Sequence, residues 1–148
     1  MATILVDNVA VDNAIVTATP NSVLDVIMKK TPLFYDNVLK NSGSDIWRLL
    51  NDSELGTSAR ITVFVPAIFL YRINDRLVAR GYARSSIYSD GALTRYDLSA
   101  SPKIVLKTLD RTNSLIITDG GRKVNGANVM EIVDATNGTV FVMDRPIW

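Results

Sequence analysis

The chain has 148 residues, 16 basic and 15 acidic side chains, a formal net charge of +1 and 47% hydrophobic residues. A chain of this size buries about 68% of its unfolded surface, enough for one domain core, and its charge is too balanced to keep it disordered or to draw it onto nucleic acid. It has no Cys and no His, which excludes disulfides, thiol nucleophiles, zinc-thiolate and imidazole sites and any Ser-His-Asp triad.

No apolar run approaches the ~20 residues that span a bilayer, so membrane insertion is not expected. A secretory leader needs a basic start and an unbroken apolar middle. Here the first basic residue is Lys29, and Asp7 and Asp12 cut the opening run. The expectation is a protein kept where it is made, or one numbered from after a removed leader.

The first sixteen residues of the segment 1–20 are rich in β-branched side chains, without Gly or Pro, and carry a near-repeat, Val6-Asp7-Asn8-Val9-Ala10 then Val11-Asp12-Asn13-Ala14-Ile15. This predicts extended chain. It is either the first strand of the domain's own sheet or an arm that contacts a neighbour through Ile4, Val6, Val9 and Val11. Residues 21–148 are expected to form a single domain.

Between residues 21 and 51 the pattern is helical in three pieces. Asn21 or Ser22 can cap a helix over 23–30 with Val23, Leu24 and Ile27 inward. Thr31 caps a second, with Pro32 at its first position and Phe34, Val38 and Leu39 inward. After Asn41-Ser42-Gly43, Ser44 or Asp45 caps a third, with Ile46, Leu49 and Leu50 on one face and Trp47 nearby.

Ile61-Thr62-Val63-Phe64-Val65 predicts a strand ended by Pro66. Residues 67–80 predict a helix with Leu70, Ile73, Leu77 and Val78 on its buried side, Arg72, Arg76 and Arg80 recurring every four residues on another, and Gly81 as its stop. The last forty residues predict an antiparallel meander turning at Asp119-Gly120-Gly121, Asn125-Gly126 and Asn137-Gly138. Helices gathered before a β-rich end predict an α+β domain.

Three segments, in this order and spacing, resemble the fasciclin domain family. They are Thr62-Val63-Phe64-Val65-Pro66, the stretch from Leu109 to Val124-Asn125-Gly126-Ala127, and the most specific, Ala135-Thr136-Asn137-Gly138-Thr139-Val140-Phe141-Val142-Met143-Asp144. The resemblance covers residues 22–148 and implies a wedge of two β layers with a cluster of short helices. It implies structural roles for Thr62, Val63, Phe64, Pro66, Tyr96, Asn125, Gly126, Asn137, Gly138 and Asp144. The chain departs from the family where Ala67-Ile68-Phe69 follows Pro66, and where Asp97 and Phe141 stand in place of two family histidines. The family's integrin adhesion is associated with the Tyr-His pair, so it does not carry over on Tyr96-Asp97.

Candidate sites are few. The arginine stripe could meet carboxylates or phosphates, or be a solvated face partly neutralised by Asp75. Asn51 and Asn137 both fit the glycosylation pattern, with Asn137 claimed by its turn. Asp110-Arg111 and Asp144-Arg145 suit ion pairing or turn bonding better than catalysis, and the sequence offers no phosphate loop or calcium loop. No catalytic residue, metal or cofactor is expected.

The resemblance, with these missing residue types, implies a non-catalytic structural or adhesion module that joins other proteins in an assembly. A virion, as a minor structural protein of a large DNA virus, or an intracellular assembly is favoured over extracellular matrix. The alternatives are a small-molecule or polysaccharide binding domain, with a groove near Tyr82, Tyr88 and Tyr96, or a secreted adhesion domain.

Overall fold

A computed structural model describes residues 8–11, 14–51 and 60–148. The described residues form a mixed α+β fold. Its main sheet has seven strands in the order β4-β3-β9-β8-β7-β6-β5. These are β3 (Ile61–Pro66), β4 (Ile87–Tyr88), β5 (Lys103–Lys107), β6 (Ser114–Thr118), β7 (Lys123–Val124), β8 (Ala127–Ala135) and β9 (Gly138–Met143). All neighbours are antiparallel except β3 and β9, which run parallel from Ile61↔Gly138 to Pro66↔Met143.

β1 (Asn8–Val11) and β2 (Ala14–Thr17) form a separate antiparallel pair. The near-repeat folds back on itself, with Val11 opposite Ala14 and Val9 opposite Val16. This segment is therefore not a strand of the main sheet, and Val9 and Val11 have their strand partners within the same chain. Ile4 and Val6 lie outside the described residues.

Both faces of β3 and β9 are buried, and alternation divides their side chains between two cores. Ile61, Val63, Val65, Val140 and Val142 face the helices α1 (Val23–Lys30), α2 (Pro32–Asn37) and α3 (Ser44–Asn51). Phe64, Phe141 and Met143 face the other way, toward Leu106, Leu115, Ile117 and Val124 of the curled hairpins. The Phe64 and Phe141 rings lie 5.0 Å apart at the centre of that second core.

The helical front forms as the sequence predicts. Ser22 caps α1 by accepting from the Asp25 N–H at 3.1 Å, and Asp25 reaches back to accept from the Asn21 N–H at 2.8 Å, so two N–H groups at the helix start find acceptors. Thr31 differs from expectation. Its hydroxyl donates to the Ile27 carbonyl at 3.0 Å, closing α1 rather than capping α2. Trp47 is fully buried in α3, its ring 5.3 Å from that of Tyr35 and its indole N–H donating to the Leu39 carbonyl at 2.7 Å.

Two turns need their predicted chemistry. Asn125 and Gly126 both have positive φ, 48° and 83°, and connect β7 to β8 in a two-residue hairpin. The β8–β9 turn is displaced by one residue from expectation, because Ala135 pairs with Gly138 and the central residues are Thr136 and Asn137. Gly138 has no positive φ. Glycine is needed there because a side-chain carbon would stand 2.1 Å from the Ile61 carbonyl oxygen on the adjacent strand.

The helix expected over 67–80 is the largest correction. α4 spans Arg76–Arg84 and runs through Gly81, while 67–75 is irregular. Phe69 plugs the first core, its ring 5.9 Å from Phe34 and 5.4 Å from Tyr82. Asn37 donates to the Phe69 carbonyl at 2.7 Å and Asn41 to the Asn74 carbonyl at 2.6 Å. These side chains take carbonyls that a helix would direct to its own N–H groups, and Asp75 then starts α4 by accepting from the Leu77 and Val78 N–H groups at 2.9 and 3.2 Å.

Candidate interaction surface

With residues 67–75 held open, the apolar side chains predicted to be inward point to solvent. Leu70 is 82% exposed and Leu77 79%, and Ile68, Tyr71 and Val78 are exposed with them. Only Ile73 of the predicted face packs partly against the core, and α4 buries Ala79 and Ala83 instead. The result is a run of exposed apolar side chains, an apolar ledge, carried by a segment pinned at Phe69 and at the two asparagine bonds. A lone exposed leucine needs no explanation, but five large apolar side chains within eleven residues of chain mark a surface suited to a partner.

The arginine stripe is not continuous. Arg72 lies in the irregular segment, 3.9 Å from Asp36. Arg76 is the exposed first residue of α4, and Arg80 is ion-paired with Asp45. The hydrogen bond from Arg80 holds the Asp45 carboxyl below its ordinary range. Arg72 and Arg76 lie among the exposed apolar residues of 68–78, whereas Arg80 ties α4 to α3.

Of the residues singled out by the fasciclin resemblance, Thr62, Asn125, Asn137 and Asp144 make hydrogen bonds that join elements, whereas Tyr96 is exposed. The buried Thr62 hydroxyl donates to the Gly91 carbonyl and accepts from the Leu93 N–H, both at 2.8 Å, fixing the loop that follows β4. Asn125 accepts from the Ile116 N–H at 2.8 Å and donates to the Ile147 carbonyl at 3.1 Å. Asp144 accepts from the Asn128 side chain at 2.9 Å and its N–H at 2.8 Å, bonds that hold its carboxyl below the ordinary range. Asp110 is engaged likewise by Thr112 and is likewise lowered. Both carboxylates serve turns and strand ends.

Asn137 does more than its turn requires. Its buried carboxamide accepts from the Val23 N–H at 2.8 Å and donates to the Leu50 carbonyl at 3.0 Å. One side chain thus satisfies a free group at the start of α1 and another near the end of α3. Asn51, the other glycosylation match, is half-buried, with its carbonyl accepting from the Thr19 N–H at 2.6 Å and the Ser22 hydroxyl at 3.2 Å. Both carboxamides are therefore part of the framework around α1.

The three tyrosines do not converge on a groove. Tyr82 packs into the first core, 5.8 Å from the Phe34 ring, and Tyr88 packs against the second. Tyr96 is 83% exposed on α5 (Arg95–Leu98), a short helix started by a reciprocal Thr94–Asp97 capping pair.

Among the described residues no helix is long and apolar enough to cross a membrane. Comparison with known proteins adds no relative: no family profile matches the chain and no curated protein matches it.

Proposed function

We propose that this protein is a non-catalytic, fasciclin-like interaction module that joins other proteins in an assembly. The observation that carries the reading is the apolar ledge of Ile68, Leu70, Tyr71, Leu77 and Val78, presented on a segment that the core and two asparagines hold in place. The surface is mostly apolar, so its complement is a protein face with an apolar centre. The fasciclin part of the reading rests on the resemblance of segments 62–66, 109–127 and 135–144, of which the first and last overlap the neighbouring strands β3 and β9.

The test is native mass measurement of the protein purified from its source, beside the Leu70→Ser/Leu77→Ser double variant and a Lys103→Ser control on a different element. The reading expects a stoichiometric protein companion with wild type and control, lost in the double variant, while all three melt alike. Companions retained by the double variant, or none with wild type, overturn it.

A further inference from the structure

The main sheet curls until its outer strands nearly meet. Just past β5, the Leu109 N–H donates to the Ile87 carbonyl of β4 at 3.0 Å. Beyond that bond, Ser89 and Asp90 line one side and Lys107 and Thr108 the other side of a cleft of about 300 Å³. Arg84, Lys107 and Arg111 contribute three positive charges to it, and Asp90 is the one carboxylate in its lining.

The cleft is built with a fixed cation. The Arg84 guanidinium donates through Nη2 to the Leu109 carbonyl at 2.9 Å, which leaves further N–H groups on the same planar fork. The loop after β5 is fixed as well, because the buried Thr108 hydroxyl lies 2.7 Å from the Asp110 carbonyl and 2.9 Å from that of Asn113. The Thr112 hydrogen bonds lower the Asp110 carboxyl most, and it lies close enough for the Arg84 charge to lower it further, but its acceptor oxygens are directed to its own neighbours. Its carboxylate accepts from the Thr112 hydroxyl at 2.7 Å, the Thr112 N–H at 3.2 Å and the Ser85 hydroxyl at 3.4 Å. Among the described residues no salt bridge joins Lys107 or Arg111 to a carboxylate.

We propose that this cleft at the seam of the sheet binds the terminal oxyanion group of a small ligand, a phosphate or sulfate ester. A guanidinium fork and two exposed cations in one lining match an oxyanion's several acceptor oxygens. The three cations gather around one concavity rather than along a stripe, which suits a compact anion better than an extended polyanion. Asp90 opposes the anion and sets the affinity below what the cations alone would give. The site is separate from the apolar ledge and stands or falls independently of the assembly reading.

The experiment is amide NMR of the isotope-labelled full chain, titrated with inorganic phosphate and separately with inorganic sulfate at constant ionic strength. Saturable shifts confined to residues 84–90 and 107–111 are expected. Asp90→Asn should tighten binding, and Arg111→Gln and Lys107→Gln should each weaken it, by about fivefold, the effect of one unit charge at close range in water-like surroundings. Unchanged melting temperatures would exclude misfolding as the cause. Tighter binding of phosphate assigns a phosphoryl ligand, tighter binding of sulfate a sulfuryl one, and both support the site. Non-saturating shifts spread over Lys103 and Lys123, or affinities indifferent to Asp90→Asn and Arg111→Gln, identify an adventitious ion only and overturn it. So does a sulfated oligosaccharide whose binding depends on Lys103 and Lys123 instead.

Discussion

Residues 23–50 and residues 67–80 carry the same kind of sequence pattern, apolar side chains at helical spacing, and the protein uses them in opposite ways. In the first stretch Leu24, Ile27, Phe34, Leu39, Ile46 and Leu50 are all buried against β3 and β9. In the second, Leu70 and Leu77 are the exposed ones and Phe69, outside the predicted face, is the plug. Periodicity states that a face exists but not which surface it meets. Local capping decides the first region. Tertiary hydrogen bonds from Asn37 and Asn41, more than thirty positions away, decide the second.

The largest expected effect lies at the centre of the buried region. Trp47→Ala removes a fully buried ring, its contact with Tyr35 and the indole bond to the Leu39 carbonyl, and should cost about 3–5 kcal/mol. Chemical denaturation of the purified variant checks this. A cost below about 1 kcal/mol would mean that the helical layer is not the rigid half of the molecule.

Asn137→Ala is expected to come next. It strands the Val23 N–H and the Leu50 carbonyl together, both in buried surroundings, at roughly 1–3 kcal/mol for each unsatisfied group. Asn137→Asp separates the two bonds, since a carboxylate still accepts from Val23 but cannot donate to Leu50. Hydrogen exchange at the start of α1 and the end of α3 should then show α1 protected and the end of α3 loosened. Equal loss at both helices would sink the assignment.

How much of this could be read in the chain follows the range of the interactions. The Ser22 cap, Pro32 at the start of α2 and the Asn125-Gly126 turn depend on neighbours within four residues, so α1, α2 and the β7–β8 hairpin were legible. The parallel pairing of β3 with β9 joins segments more than seventy positions apart and has no local signature. Asn137 shows both limits. Its place near a turn was legible, while its bond to Val23 spans 114 positions and shifts the turn one residue from where Gly138 suggested. At the candidate surface the residue types were legible, but the anchors that turn Leu70 and Leu77 outward were not.

Tyr82 stands where the two regions meet, between the rings of Phe34 and Phe69. Its hydroxyl is buried against the main chain of Trp148 without reaching hydrogen-bond geometry. Burial pushes its pKa up to about 12 from the ordinary 10.0. A neutral phenol is thus favoured by folding, and that contribution is whole below about pH 10 and lost as pH rises toward about 12. Tyr82→Phe should leave stability at pH 7 unchanged or raise it by up to about 1 kcal/mol, because no bond is lost and a buried unpaired group is removed. It should also flatten the alkaline limb of the stability curve, with Tyr35, raised to about 12 mainly by burial, still contributing. A steeper alkaline loss in the variant would contradict the burial argument.

The smallest expected effect on stability is on the ledge, and it is the most informative about function. Leu77 is 79% exposed, so Leu77→Ser returns little apolar area to water. Its N–H bond to Asp75 belongs to the main chain and survives the change. The remaining cost is the lower helix propensity of serine, a few tenths of a kcal/mol, so the melting temperature should move by no more than about 2 °C. The same replacement at Leu50, a residue of the same type on a buried face, should be severe, because it leaves both a cavity and an unpaired hydroxyl. A protein under selection for solubility alone would gain by replacing Leu70 and Leu77 with polar residues, since folding does not hold them there. The proposed partner surface would give them a role that folding does not. If Leu77→Ser lowers the melting temperature as far as Leu50→Ser does, the ledge belongs to the fold, and the contrast between the two regions disappears.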